Sequence, residues 1–121
     1  MAISNSERVT RAFDLLKTGL NPFVIQQMRG KLGPAWWPQA QQKYSQATKP
    51  DSLDVMIQLR LLIDNWNGVF RDALGDLERN LSGELLAFRN RWAHQEPFNS
   101  EDTQRMLDTA SRLLSAVSAA E

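Results

Sequence analysis

Apolar residues recur along this chain at steps of three and four, the spacing of one helix face, and nowhere alternate like a half-buried strand. Val9, Phe13, Leu16 and Leu20 define the first such face, and Ser4 or Ser6 can cap its start. Gly19 weakens the end of that run. Asn21-Pro22 then reads as a cap followed by proline at the first position of a new helix. This second helix, roughly 22–32, carries Phe23, Ile25, Met28 and Leu32, and Gly33-Pro34 stops it. Residues 33–52, GPAWWPQAQQKYSQATKPDS, are rich in proline, glutamine and small side chains and predict a long loop with room for one short helical turn. Asp51 or Ser52 can cap a third helix whose stripe is Val55, Leu59, Leu62, Ile63 and Trp66. The pattern continues through Val69, Phe70 and Leu74, with Gly68 as a candidate kink and Gly75 as a break. A fourth helix over about 77–94 aligns Leu77, Leu81, Leu85, Phe88 and Trp92, and Pro97 ends it. Asn99 or Ser100 caps the fifth, with Met106, Leu107, Ala110, Leu113, Leu114 and Val117 on one face. Five helices joined mostly by short connections predict an all-α, antiparallel helical bundle.

Composition narrows the class. At 121 residues the chain predicts a single domain over 1–121. Its end, SAVSAAE, is also compatible with the N-terminal module of a longer protein. No apolar run approaches the roughly 20 residues needed to span a membrane, and the N-terminus lacks the apolar core of a secretory signal. The absence of cysteine excludes a disulfide framework and thiolate chemistry, and suits a cytoplasmic setting. One histidine and no cysteine leave little for a zinc site, and no glycine-rich phosphate loop follows a strand, so no cofactor is expected.

Fourteen basic and fourteen acidic residues cancel, but unevenly along the chain. Residues 1–50 hold seven Lys or Arg against Glu7 and Asp14, whereas the remainder holds seven arginines against twelve acids. The halves either present a basic face or neutralise one another on folding.

The single histidine lies in RNRWAHQEPFNS, residues 89–100, where the fourth helix should end. At about 100° per residue, Asn90 and His94 share a face and Arg89 adjoins it, while Phe88 and Trp92 turn to the core. Helix-terminus electrostatics alone would favour a histidine here. The same residues also suit phosphodiester chemistry. An imidazole titrating near neutrality can move the proton of a ribose 2′-hydroxyl. A guanidinium can stabilise charge on phosphoryl oxygens, and an amide can orient the phosphate or the imidazole.

RNRWAH resembles the Arg-x4-6-His motif of HEPN domains, with Arg89 at the motif arginine, Asn90 at the polar residue that follows and His94 at the motif histidine. The stretches LLIDNWNGVFRDALG and RNRWAHQEPFNSEDTQRMLDTASRLL are similar to the HEPN subgroup of a nuclear RNA-surveillance endoribonuclease. Bacterial members of that subgroup begin large ATPase or helicase proteins linked to phage defence. The resemblance covers roughly residues 50–118, and the first 50 only in helical character. It implies a metal-independent endoribonuclease that pairs as a homodimer, so that two motifs share one cleft and RNA is the partner. His94 would activate the 2′-hydroxyl or protonate the leaving oxygen. Arg89 would stabilise the scissile phosphate, Asn90 would position it, and Arg91 would add a phosphate contact. HEPN toxins silenced by nucleotide transfer carry tyrosine two residues after the histidine. Glu96 stands here instead, so that regulation is not expected.

The remaining polar and aromatic clusters admit two readings each. Asp64, in IDNWNG, could pair Arg89 or orient His94, as an acid on an earlier helix often does in this family, or could be an ordinary surface ion pair. Trp66 falls on the apolar stripe and is expected in the core. In AWWP both tryptophans cannot point the same way, so the segment is either clamped onto the bundle or offered to RNA. The Ser/Ala-rich end of the last helix permits close helix approach. Two functions follow: an RNA-cleaving dimer using Arg89, Asn90 and His94, or a catalytically inactive HEPN-like dimerisation or RNA-binding adaptor for an attached effector.

Overall fold

Ser4 opens the first helix, its hydroxyl accepting a hydrogen bond from the Glu7 amide at 3.1 Å. The computed structural model describes residues 3–44 and 53–120. Among them are five α-helices, α1 (Asn5–Leu32), α2 (Trp36–Lys43), α3 (Val55–Asp64), α4 (Asp76–Ala93) and α5 (Ser100–Ala120), with a π-helical turn at Trp66–Phe70 and no strand. The all-α bundle expected from the periodicity is the fold.

The chain does not break at Asn21-Pro22. α1 continues through both predicted helices with Pro22 inside it. An interior proline removes one helical hydrogen bond and costs about 3 kcal/mol or more. The apolar face outweighs this, because Leu16, Leu20, Phe23, Val24 and Met28 are all buried on both sides of the proline. Gln58, wholly buried on α3, donates from Nε2 to the Lys17 carbonyl at 2.8 Å and to Asn21 Oδ1 at 3.1 Å, in the turn before Pro22. Gly19 is a crossing point rather than a weak end: a Cβ there would lie 2.5 Å from Leu114 Cδ2. Gly33, at φ +84°, closes the helix and donates to the Arg29 carbonyl.

The segment expected to be mostly loop folds further than composition suggests. α2 buries Trp36 and leaves Trp37 half-buried, the two rings meeting edge-on at 5.6 Å. AWWP is therefore clamped onto the bundle. Asp51 and Ser52 lie outside the described residues; the cap of α3 is Asp54, whose Oδ1 accepts from the Met56 amide at 2.7 Å. After α3 the hydrogen bonds Phe70 N to Asn65 O and Arg71 N to Trp66 O span five residues. This wide turn keeps Trp66, Val69 and Phe70 inside while Gly68 faces open space. On α4 the core face starts at Leu81; Leu77, predicted to belong to it, is 58% exposed.

Contacts fix the helix directions. Gln58 against Lys17 and Asn21 runs α3 alongside α1. Arg89 to Asp54 reverses α4 against α3. Glu84 to Arg105, and Arg91 to Asp102, reverse α5 against α4. The C-terminus of α4 thus lies at the end of the bundle where α1, α3 and α5 begin. Lys31–Asp72 and Lys43–Asp64 neutralise part of the charge asymmetry, but Arg8, Arg11, Lys17 and Arg29 on α1 make no ion pair among the described residues.

One pair on the α4–α5 seam gives a pH prediction. Glu84 accepts from Arg105 at 2.6 and 3.1 Å and from Thr109 at 3.0 Å. The guanidinium holds this carboxyl below its ordinary range, outweighing partial burial, which acts the other way. A depressed folded-state pKa contributes stability above the unfolded value of about 4.3 that is lost as pH falls through the folded value. Glu84→Gln is expected to lower stability at neutral pH and to flatten its acid dependence below about pH 4, measured as urea midpoints across pH.

Candidate active site

The end of α4 is built by its own backbone. His94 caps the helix, Gln95 donates to the Trp92 carbonyl and Glu96 to the Arg91 carbonyl, the paired bonds of a Schellman turn. The left-handed position that such a turn requires falls on Gln95, at φ 59°, where glycine is usual. The strain fixes the direction in which the chain leaves His94. Gln95→Gly is expected to raise stability by about 1 kcal/mol, read from denaturant midpoints.

Around this turn the three consecutive residues 89–91 part company. Arg89 turns towards α3, 19% exposed, with Nη2 3.6 Å from Asp54 Oδ1 and a buried Nε that has no partner among the described residues. Asn90 and His94 face outwards, exposed, and their side chains make no hydrogen bond or ion pair among the described residues. Arg91 turns to the opposite flank. It donates to the Pro97 carbonyl at 3.1 Å and Asp102 at 3.0 Å, approaches Glu96 at 3.5 Å, and lies 4.5 Å from the Phe98 ring centroid. These contacts clamp the α4–α5 corner, so Arg91 is held as a structural residue rather than offered to a phosphate.

Asp64 does not join this group. It lies ten residues along α3 from Asp54, about 15 Å at helical rise. It bonds the Tyr44 hydroxyl and pairs Lys43 at 3.1 Å. Burial works to raise the Asp64 pKa, but these two donors together hold the carboxyl below its ordinary range, while burial and the Asp64 charge raise the Tyr44 hydroxyl well above its own. The pair fastens α2 to α3. The acidic neighbour of Arg89 is Asp54, which the sequence pattern does not single out because Asp51 and Ser52 offer themselves as the cap of the same helix. Trp92, half-buried within the motif, packs 5.3 Å from Phe13 and donates to Thr10 at 3.3 Å.

The arrangement offers an unengaged amide and an unengaged imidazole on the outer face of α4, and a guanidinium on its adjoining flank beside the start of α3. Arg89, Asn90 and His94 can hold an anion and exchange a proton. Among the described residues no cluster of His, Cys, Asp or Glu is placed to hold a metal ion, and no helix is long and apolar enough to cross a membrane. A roomy groove of about 810 Å³ between α1 and α5, walled by Leu15, Leu107 and Leu114, includes none of the three motif residues.

An all-α bundle whose penultimate helix ends in Arg-x4-His is the arrangement of a HEPN domain. A family model described as Swt1-like HEPN matches residues 11–118, extending the likeness well into α1. The chain belongs to the Swt1-like HEPN family. No curated protein and no solved structure matches it.

Proposed function

We propose that this domain is a metal-independent endoribonuclease acting as a homodimer. The observation that carries the reading is that Arg89, Asn90 and His94 share the last turns of α4, the amide and imidazole exposed and unengaged and the guanidinium turned towards α3 with only a loose contact to Asp54. A neutral His94 imidazole accepts the 2′-hydroxyl proton as that oxygen bonds to phosphorus. The bond from phosphorus to the 5′-oxygen breaks, and the departing oxygen takes a proton from the protonated His94 of the second copy. The products end in a 2′,3′-cyclic phosphate and a 5′-hydroxyl. Arg89 releases its loose contact with Asp54 to stabilise the phosphoryl oxygens, and Asn90 orients them.

The shape of α4 supports pairing. Gly83, Ala87, Asn90 and His94 recur at four, three and four residues, all exposed on one stripe opposite the core face. A Cβ at Gly83 would meet nothing within 4 Å, so a second helix can approach closely. Parallel packing along the whole stripe, from Gly83 to His94, would bring two His94 side chains to a shared cleft. A role in RNA surveillance or phage defence, in the cytoplasm and beside an attached ATPase or helicase domain, is the setting this activity would suit.

The adaptor reading draws on one observation, the largely buried Arg89 already paired with an acid. Labelled single-stranded RNA, incubated with the parent and with His94→Ala in excess EDTA, separates the two. Cutting by the parent alone supports the nuclease; retention of RNA by both without cutting, across varied sequences, supports the adaptor.

A further inference from the structure

A second cavity adjoins the motif and is not used by the chemistry above. It measures about 580 Å³, within the range of small-ligand sites, and lies between the start of α1 and the α4–α5 corner. Ala93 and Gln95, the neighbours of His94 in the chain, form part of its wall.

We propose that this cavity is a subsite for one unpaired guanine flanking the scissile phosphate; the inference rests on the nuclease reading for its neighbour, not for its own chemistry. Trp92 and Phe98, both half-buried, supply aromatic surface and Pro97 an apolar edge, while Ser6, Gln95 and Glu96 make the rest of the wall polar. Unpaired bases are held on such surfaces, where every base has a π-face to stack. Discrimination comes from Glu96, an exposed carboxylate on the wall. A carboxylate only accepts hydrogen bonds. Guanine presents two adjacent donors, N1–H and the N2 amino group, which match its two oxygens. Uracil places its single donor between two carbonyls that a carboxylate repels, and adenine and cytosine set an acceptor nitrogen beside their amino group. The hold of Arg91 on Glu96, 3.5 Å, is longer than its 3.0 Å bond to Asp102, so Glu96 can turn to a base while Arg91 keeps the corner closed.

The test combines two readouts. Cleavage sites are mapped on a random single-stranded RNA pool for the parent and for Glu96→Gln. Separately, amide NMR shifts of Ala93, Gln95 and Glu96 are followed in the His94→Ala protein during titration with guanosine, adenosine, cytidine and uridine 5′-monophosphates. The subsite predicts guanine enrichment beside the cut, weakened about tenfold or more in Glu96→Gln at an unchanged melting temperature, and shifts at those amides strongest with the guanosine nucleotide. Guanosine-selective shifts without any RNA cutting would retain the subsite and remove the nuclease reading. Cutting without base preference, together with shifts that are absent or equal for all four nucleotides, would overturn the subsite and leave the nuclease intact.

Discussion

Arg89→Ala is expected to slow RNA cleavage by about 10²–10³-fold, the usual consequence of removing one donor to a transition-state oxyanion. The effect should fall on the cleavage step measured in single turnover at saturating RNA, because the guanidinium matters most when negative charge accumulates on the phosphoryl oxygens. Folding should suffer little. Arg89 reaches Asp54 only at 3.6 Å, and Asp54, about half exposed, still caps α3 through the Met56 amide. Arg89→Lys keeps the charge but loses the planar fork, and should recover only part of the rate. A melting temperature close to the parent's, with cleavage lost, identifies a residue of the site; equal cleavage by parent and Arg89→Ala would remove it from the mechanism.

The second large effect is expected at Gly83, on the exposed stripe of α4 and eleven residues from His94. Within one subunit, leucine there is favourable: its Cβ meets open space, and replacing a mid-helix glycine gains up to about 1 kcal/mol of helix propensity. Across a helix pair the same side chain forces the two α4 axes apart from the 8–10 Å of close packing. Gly83→Leu should therefore give a more stable subunit that sediments as a monomer and cuts RNA only in proportion to its residual dimer. A dimeric, fully active Gly83→Leu protein would place the pairing surface elsewhere.

Much of this architecture could be read in the sequence because helix faces are repetitive. The stripe from Val9 to Leu20, the Leu81–Phe88 face and the Met106–Val117 face all carry their buried residues at the expected steps. The failures have physical causes. Pro22 reads as a boundary because the local cost of proline is visible, whereas the continuous buried face that offsets it is tertiary. The Gln-rich segment hid α2 because its anchor is a single buried tryptophan rather than a stripe. In the site, the helical period correctly separated Asn90 and His94 from the core. It also put Arg89 and Arg91 about 200° apart, on opposite flanks, and the structure spends Arg91 on the α4–α5 corner. For Asp64 the sequence leaves open a role beside Arg89 or His94 and an ordinary ion pair, and the structure holds it in an ion pair with Lys43. Register along α3 decides between them, since the acid that meets Arg89 must lie at the start of α3 and not at its end.

The chemistry is tested most directly at the ends of the cut RNA. Fragments produced in excess EDTA, analysed by mass spectrometry, should carry 2′,3′-cyclic phosphate and 5′-hydroxyl termini, and a single 2′-deoxy substitution should block cutting at that position alone. Fragments with 3′-hydroxyl and 5′-phosphate ends, or cutting that persists through the 2′-deoxy position, would contradict attack by the ribose hydroxyl and with it the role given to His94.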